Sequence, residues 1–126
     1  MFSLKMPLVA ALLVTVMTVA SPKLSLANDA DFVMKNRTGY QIDEVYVSVG
    51  SSKSWGKDLM GSDSLANGEQ LKVTFPHGNG ACMFDIKVKY HDDNSTAEWT
   101  GVNLCKYEII SLFWDNKSQV TRAVGE

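Results

Sequence analysis

The stretch CMFDIKVKYH, residues 82–91, alternates apolar and polar side chains one residue at a time. A period of two places the apolar side chains on one face of a β-strand and the polar side chains on the other. The same alternation recurs in residues 71–75 and, more briefly, at Phe32 and Met34. After residue 27, no stretch repeats its apolar residues at the 3.6-residue spacing of a helix. The pattern therefore predicts an all-β domain.

Two of the predicted strands change phase partway along their length. In residues 40–49, apolar residues occupy an even position first and odd positions afterwards. A β-bulge near Asp43 and Glu44 would bring them onto one face. In residues 96–105 the apolar residues change face around Gly101, where a bulge costs little. We therefore expect one bulge in each of these strands.

The C-terminal third predicts a central strand followed by an edge strand. Residues 107–114 are apolar on both faces, as is usual for a strand covered on both sides. Residues 120–124 can add an edge strand. Six or seven short strands separated by turn signals are typical of an antiparallel β-sandwich. We therefore expect a single domain of this class over residues 28–126.

Residues 1–27 have the order of a secretory signal peptide. A lysine precedes the apolar run PLVAALLVTVMTVA, and small residues follow, with Ser25 and Ala27 at positions −3 and −1. Cleavage after Ala27 would leave Asn28 first, and cleavage after Ala20 is the alternative. A membrane anchor is the other interpretation, but the run is shorter than the ~20 residues that a spanning helix needs. We therefore expect a secreted or periplasmic protein whose mature chain has no transmembrane segment.

The charge of the chain argues against nucleic acid as a partner. Removing residues 1–27 takes away two lysines and no acidic residue, so the formal net charge changes from −2 to −4. Charges of both signs are interspersed along the chain and form no basic stripe, which is the usual footprint of a nucleic-acid-binding surface.

The chain contains two cysteines, Cys82 and Cys105. An oxidising compartment favours a disulfide between them, and closing a loop of this length would stabilise the fold by roughly 3 kcal/mol. The alternatives are two free thiols or a metal pair, and two cysteines without nearby histidine make a poor zinc site. Pairing Tyr90 with Ala97 in a hairpin around HDDNS would bring Cys82 opposite Cys105, unless a bulge at Gly101 displaces Cys105 by one position.

The stretch WGKDLMGSDSLANGE, residues 55–69, joins two predicted strands. Because about 20 residues without structure are unusual in a compact domain, we expect local order here. Asp58 can bond nearby backbone amides in an Asx-type turn, and Trp55 is expected to pack inward or against the sheet edge. A phosphate cradle would need a lysine that opens a helix, whereas Lys57 precedes further glycines without a helical pattern. We interpret the stretch as a structural loop.

The segments NRTGYQIDEVYVS, SWGKDLMGSDSLANGE and CMFDIKVKYHDDNSTAEWTGVNLC cover most of the mature chain. In this order they resemble a family of small secreted or periplasmic bacterial proteins of unsettled function. The resemblance implies secretion, a disulfide and a sandwich fold. Some relatives carry the name argininosuccinate lyase, but residues 61–65 lack the Met-Pro and the Lys of that enzyme's Gly-Ser-Ser-x-Met-Pro-x-Lys signature.

The residue types do not assemble a recognisable catalytic constellation. There is no Gly-x-Ser-x-Gly elbow, a disulfide would remove both thiols, and neighbouring carboxylates on a strand point to opposite faces. His77 and His91 are interpreted as surface residues, although either can act as an acid or base near neutral pH. We therefore predict that the protein is not an enzyme and uses no cofactor. The alternative is a small hydrolase or lyase whose site forms from loops around His77, Asp58 and Asp63.

The metal and modification motifs have simpler interpretations. Asp92, Asp93 and Asn94 supply oxygen ligands that calcium prefers, but the EF-hand spacing is absent and hairpin turns use the same residues. We therefore predict no metal site. Glycosylation sequons begin at Asn36, Asn94 and Asn116. They matter only in a eukaryotic secretory pathway, which the family resemblance disfavours.

Four aromatic residues are the remaining candidates for a binding surface. Trp55, Tyr46, Tyr107 and Phe113 can fall at outward or rim positions and form a recognition patch. The alternative is that they cover the edge of the core or a second sheet. On this basis we expect a secreted or periplasmic binding or envelope-associated module whose ligand is an unknown protein or envelope component.

Overall fold

The structure is a computed structural model, and it describes residues 30–50, 52–76 and 80–126. The strands are β1 (Phe32–Asn36), β2 (Ile42–Val49), β3 (Gln70–Val73), β4 (Met83–Tyr90), β5 (Thr96–Asn103), β6 (Ile109–Asp115) and β7 (Val120–Gly125). A short 3-10 helix, Leu104–Lys106, follows β5. Within these ranges, no helix has the length and apolar character needed to cross a membrane. The predicted signal peptide, residues 1–27, lies outside the described residues.

The strands form two sheets with the orders β3-β1-β6-β7 and β2-β4-β5. Paired strands run antiparallel except for β1 and β6, which are parallel. The predicted fold class, an all-β sandwich of six to seven strands with one disulfide, is confirmed. The parallel pair was not predicted, because alternation within a strand carries no information about the direction of its partner.

One core lies between the two sheets. Alternate residues of β4, namely Phe84, Ile86 and Val88, are at most 1% exposed, as their period of two predicts. From the other sheet, Met34 of β1 and Leu112 of β6 are fully buried in the same core. The β6 strand is central in its sheet and β7 is an edge strand, as their apolar patterns predicted.

Both predicted bulges are present. The register of β2 against β4 shifts between Ile42 and Glu44, so that Ile42 and Val45 are both fully buried. The register of β4 against β5 shifts opposite Gly101, whose φ of 64° is a left-handed conformation that glycine adopts without strain. The carboxylate of Asp85 accepts a hydrogen bond from the Gly101 N–H at 2.9 Å, which closes the gap in the ladder.

The predicted register of the β4–β5 hairpin is wrong. Ala97 pairs with Val88 and not with Tyr90. The reason is a tighter turn, in which the Tyr90 N–H donates to the Ser95 carbonyl at 2.8 Å and Asn94 adopts a left-handed φ of 61°. Asparagine tolerates this conformation better than most residues, so the connection closes two residues earlier than predicted.

The predicted disulfide between Cys82 and Cys105 is confirmed, with their Cα atoms 5.2 Å apart. Two features compensate for the tighter turn. The bulge at Gly101 supplies one extra residue, so the Leu104 N–H donates to the Cys82 carbonyl at 2.8 Å. Cys105 follows on the 3-10 helix, displaced by one position, and still reaches Cys82. The disulfide therefore ties the open end of the β4–β5 hairpin.

Candidate binding site

The structure brings together two of the four aromatic residues that the sequence singled out. The ring centroids of Tyr46 and Trp55 lie 6.5 Å apart on the outer face of β2. The ammonium group of Lys87 lies over both rings, 4.9 Å from the centroid of Tyr46 and 5.2 Å from that of Trp55. At these distances the ring faces attract a cation. The chain's own lysine therefore occupies the aromatic faces that an external cation would need.

The polar end of this cluster is also satisfied within the chain. The Tyr46 hydroxyl donates to the Glu44 carboxylate, which also accepts a hydrogen bond from Lys89 at 3.2 Å. The bond to Glu44 raises the pKa of Tyr46 to about 12. The bonds from Tyr46 and then Lys89 lower the pKa of Glu44. These contacts favour a structural role for the Tyr46–Trp55 cluster on the face of the three-stranded sheet.

Tyr107 and Phe113 lie elsewhere on the molecule. The Tyr107 ring packs so closely on Gly125 that an added Cβ there would lie 2.4 Å from the ring. Phe113 follows the buried Leu112, so it projects from the outer face of the four-stranded sheet and is 38% exposed. Tyr46 projects from the outer face of the opposite sheet. The four aromatic residues are therefore not brought together into one patch.

The loop of residues 55–69 has local order, as its sequence suggested. The Asp58 carboxylate accepts hydrogen bonds from the N–H groups of Met60 and Val45, each at 2.9 Å. The second of these bonds ties the loop to β2. Leu65 is buried and forms an isolated bridge with β2. The loop is therefore hydrogen-bonded to β2 at two places, Val45 and Ile42.

The residues of the enzymatic alternative are not assembled in the described part of the chain. Asp58 is engaged with two backbone amides, Asp63 is exposed on a turn, and His77 lies outside the described residues. Asp63 lines a shallow depression of about 890 Å³ along the loop. Glu69 and two serines line it as well, together with apolar side chains such as Met60 and Leu71, and none of the lining residues that the structure describes is a histidine.

One histidine–carboxylate pair is present, on the surface. His91 Nδ1 lies 2.9 Å from Asp43 Oδ2. This hydrogen bond raises the pKa of His91 and lowers the pKa of Asp43. The two side chains are 57% and 34% exposed, and neither lines any of the three cavities described in this section. His91 and Asp43 therefore form a hydrogen-bonded pair on the surface of the part of the chain that the structure describes.

Three other aromatic rings meet at one end of the sandwich. Tyr40 follows the turn after β1, Tyr90 ends β4, and Trp114 lies near the end of β6. The centroid distances are 6.1 Å for Tyr40–Tyr90, 6.2 Å for Tyr40–Trp114 and 6.3 Å for Tyr90–Trp114. The ring planes of every pair are inclined at 84° or 85°. The three rings line one cavity of about 270 Å³, which we call the aromatic pocket.

The β4–β5 turn supplies the polar side of the aromatic pocket. Asp92, Asp93 and Ser95 line it together with the rings. Asp93 Oδ1 accepts hydrogen bonds from the Ser95 hydroxyl at 2.7 Å and from the Ser95 N–H at 3.0 Å, which lower the pKa of Asp93. None of the six residues that the structure places around this pocket carries a positive charge. The pocket therefore combines aromatic surface with negative charge.

The calcium interpretation of residues 92–94 gains no support from this arrangement. Asp93 is engaged with Ser95, and Asn94 forms the left-handed position of the hairpin turn. Across residues 30–50, 52–76 and 80–126, no group of three or more His, Cys, Asp or Glu side chains is placed to hold a metal ion.

A buried amide holds the segment that carries Tyr40. The Asn36 side chain is fully buried, and its Nδ2 donates to the carbonyl oxygens of Tyr40 at 2.8 Å and Leu65 at 2.9 Å. Its Oδ1 accepts from the Thr38 hydroxyl at 2.7 Å and from the Thr38 N–H at 3.1 Å. Buried polar groups are costly unless paired, so these four bonds fix the turn before Tyr40 from the inside.

The other two rings are anchored at their polar atoms. The Tyr90 hydroxyl lies 2.6 Å from the Thr121 hydroxyl of β7, and burial raises the pKa of Tyr90. Trp114 Nε1 donates to Asn116 Oδ1 at 2.9 Å. Because these polar atoms already have partners in the chain, Tyr90 and Trp114 face the pocket with ring surface, of which Tyr90, 5% exposed, contributes a small part.

A second cavity, of about 380 Å³, opens between the sheets beside the edge strands β5 and β7. Trp99 and Tyr107 line it together with core residues such as Ile86 and Leu112. It is continuous with the apolar core and gathers no carboxylate. We interpret it as the open side of the sandwich.

The sequence contained each component of the aromatic pocket but no sign of their convergence. Tyr40, Tyr90 and Trp114 belong to three different predicted strand segments, and Asp92 and Asp93 were interpreted as turn residues. Only the parallel pairing of β1 with β6, together with the pairing of β2 with β4, places these segments at one end of the fold.

A comparison of the chain with protein-family models, with curated proteins and with solved structures found no match. The resemblance to small secreted bacterial proteins therefore stays a prediction, and function is inferred from the geometry of the chain itself.

Proposed function

We propose that the protein is a non-enzymatic, secreted or periplasmic binding module that takes a small ligand in the aromatic pocket. The observation that carries this proposal is the convergence of Tyr40, Tyr90 and Trp114 around one cavity. Ligand sites in proteins are concave and mostly aromatic or apolar, with a few polar groups that fix orientation. The aromatic pocket has this composition, with Asp92 and Asp93 as its charged groups.

Export is supported by three features. Residues 1–27 have the order of a signal peptide, and the motifs quoted above resemble those of small exported bacterial proteins. The disulfide between Cys82 and Cys105 is typical of an oxidising compartment. The described domain is small, so such a crosslink adds substantially to its stability.

The enzymatic alternative, a hydrolase or lyase built around His77, Asp58 and Asp63, has weaker support. Asp58 is engaged with backbone amides of its own loop and of β2. The His91–Asp43 pair is exposed and is separate from the residues that line the aromatic pocket. Aromatic surface with acidic groups but no nucleophile–base pair suits binding better than bond cleavage.

A fragment screen by NMR tests this proposal. Isotope-labelled mature protein is titrated with a set of small amines, alcohols and acids, and backbone amide shifts are mapped onto the fold. We expect the shifts to cluster at Tyr40, Ser95 and Trp114 and to disappear in Tyr40→Leu. The matched control is Phe113→Leu, because this ring is similarly exposed but lies on the outer face of a sheet.

Two results would overturn the proposal. The first is a set of fragments that bind only at the Tyr46–Trp55 cluster or in the second cavity. The second is turnover of any screened compound that is lost in His91→Gln or His77→Gln, since that would establish an enzyme.

A further inference from the structure

We infer that the ligand of the aromatic pocket carries an alkylated ammonium group, of which a quaternary ammonium is the limiting case. This inference rests on the proposed function, because it assigns a chemical class to the ligand of that same pocket. It is carried by the arrangement of the three rings, by the charge around them and by the contrast with the chain's other aromatic cluster.

The ring arrangement suits a compact cation. The centroids of Tyr40, Tyr90 and Trp114 lie within 6.3 Å of one another. A single ammonium group between them can therefore lie within the ~6 Å of each centroid at which a cation–π attraction operates. A flat aromatic ligand could be sandwiched only between two parallel faces, whereas these planes are nearly perpendicular. Three non-parallel walls match a roughly spherical group.

The charge around the pocket favours a cation. Asp92 and Asp93 line the rim, and no lining residue that the structure places there is basic. Both carboxylates are exposed, so water screens their attraction for an ammonium group, but its sign adds to the attraction of the rings. An anionic ligand would meet repulsion from both carboxylates.

The second aromatic cluster differs from the aromatic pocket in having a cation of the chain's own over its rings. At Tyr46 and Trp55 the ammonium of Lys87 lies over both rings. At Tyr40, Tyr90 and Trp114 the lining includes no lysine or arginine within the described residues. The aromatic pocket thus has ring faces that attract a cation, and none of the lining residues that the structure places there supplies one.

Alkylation follows from the placement of the hydrogen-bond acceptors on one side of the pocket. A primary ammonium group has three donors, and burying them without partners is costly. The carboxylates of Asp92 and Asp93 lie at the exposed rim, where Asp93 Oδ1 accepts two hydrogen bonds from Ser95. On the side of the rings, the polar atoms of Tyr90 and Trp114 have partners in the chain. Methyl groups on the nitrogen remove these donors and place apolar surface against the ring faces. A choline-like group therefore fits better than a lysine-like one.

The volume of about 270 Å³ suits a small molecule or a headgroup. It lies just below the ~300 Å³ at which drug-sized ligand pockets begin. Free choline or a related solute and the headgroup of phosphatidylcholine share the required chemistry. Binding to phosphatidylcholine would hold the protein at a membrane surface, whereas binding to free choline would not.

Calorimetry with matched probes tests the assignment. The mature protein is titrated with tetramethylammonium, with choline and with 3,3-dimethylbutan-1-ol, which has the shape of choline but a carbon in place of the charged nitrogen. Because three ring contacts and two carboxylates favour the charge, we expect choline to bind at least about tenfold more tightly than the neutral alcohol. Ammonium chloride at equal concentration should bind more weakly than tetramethylammonium.

Three variants sharpen the test. Tyr40→Phe keeps the ring and should retain choline binding, whereas Tyr40→Leu removes the ring face and should weaken it at least fivefold. Asp92→Asn removes one charge and should weaken choline binding severalfold while leaving the neutral alcohol unaffected. Phe113→Leu, a distant exposed ring, should change neither.

Co-sedimentation separates the two sources. Association with phosphatidylcholine vesicles, but not with phosphatidylglycerol vesicles, would assign the headgroup, and binding of free choline alone would assign a solute; either supports the inference. Equal affinity for choline and the neutral alcohol in the pocket would overturn the inference while the proposed binding function stands. Binding of none of the probes, with fragments of other classes also leaving the pocket unchanged, would overturn both.

Discussion

The side-chain amide of Asn36 donates a 2.8 Å hydrogen bond to the backbone carbonyl of Tyr40, so a fully buried residue positions the most exposed ring of the aromatic pocket. Tyr40 is 42% exposed, and its ring also packs against the rings of Tyr90 and Trp114. The buried amide therefore fixes the backbone at Tyr40, while ring contacts orient its side chain.

Replacing that amide should destabilise the protein. In Asn36→Ala the buried carbonyl of Leu65 and the Thr38 groups lose their partner, and each unsatisfied buried group costs about 1–3 kcal/mol. We expect the free energy of unfolding to fall by about 3 kcal/mol in urea titrations. The control is Asn67→Ala, which removes one exposed hydrogen bond to the Gly39 N–H and should cost less than about 1 kcal/mol. Equal losses in the two variants would contradict this account of Asn36.

The disulfide should contribute measurably to stability. Its two cysteines are 23 positions apart, and the chain-entropy relation gives about 3 kcal/mol for a loop of this size. We expect Cys82→Ala/Cys105→Ala to unfold at correspondingly lower urea concentration than the oxidised protein. Intact mass should rise by about two hydrogens on reduction, one for each sulfur of the broken bond. Two thiols that react freely with a maleimide before reduction would contradict the crosslink.

Adding a methyl group at Gly125 should disturb the packing of Tyr107. A Cβ at this position would lie 2.4 Å from the Tyr107 ring, well inside contact distance. We expect Gly125→Ala to cost about 1–3 kcal/mol of unfolding free energy by overpacking. In a Tyr107→Ala background the same change should cost much less, because the obstructing ring is gone. Additive effects in this double-mutant cycle would refute the contact.

Trp55 should act on stability and not on ligand binding. Its ring packs on Tyr46 beneath the Lys87 ammonium, and the three side chains form a half-buried cation–aromatic cluster. We expect Trp55→Ala to lower the unfolding free energy by about 1 kcal/mol and Trp55→Phe to restore most of it. Ligand binding in the aromatic pocket should be unchanged in both variants. Loss of binding with unchanged stability would mean that the Tyr46–Trp55 cluster is the recognition surface.

The His91–Asp43 pair should give a defined pH response. The hydrogen bond raises the folded-state pKa of His91 above its ordinary 6.5 and lowers that of Asp43 below its ordinary 3.8. The histidine contribution to stability is therefore complete below pH 6.5 and is lost as pH rises through the folded pKa. The aspartate contribution is present above pH 3.8 and is lost as pH falls through its folded pKa.

An NMR titration of the His91 ring protons checks this response. In Asp43→Asn the His91 pKa should move down towards its ordinary value, whereas Asp58→Asn, which alters a carboxylate bonded to backbone amides elsewhere, should leave it unchanged. A His91 pKa that is identical in the wild type and in Asp43→Asn would disprove the pairing.

The strands and bulges could be predicted because they depend on local alternation. The period of two in residues 82–91, the phase change near Asp43 in residues 40–49 and the phase change at Gly101 in residues 96–105 are each a property of one segment, and all three appear in the fold. The hairpin register could not be predicted as securely. It depends on the left-handed φ of Asn94. The sequence HDDNS is compatible both with the tight turn that this φ produces and with a longer turn.

The aromatic pocket could not be predicted for a different reason. Its rings come from segments far apart in sequence, and they meet only because β1 pairs parallel with β6 while β2 pairs with β4. Phe113 is a candidate for the binding patch from its sequence position and its neighbour Trp114 is not, although Trp114 faces inward and lines the pocket. The interpretation of Asp92 and Asp93 as turn residues is correct, but it does not indicate that they also lie at the rim of the aromatic pocket.

Intermolecular nuclear Overhauser effects between choline and the mature protein test the central claim most directly. If the aromatic pocket holds the ammonium group, the choline methyl protons should show contacts to ring protons of Tyr40, Tyr90 and Trp114 in the same sample. In Tyr40→Leu the contacts to the remaining two rings should weaken in proportion to the lost affinity. Methyl contacts to Tyr46 and Trp55 instead, with none to the three pocket rings, would contradict the account.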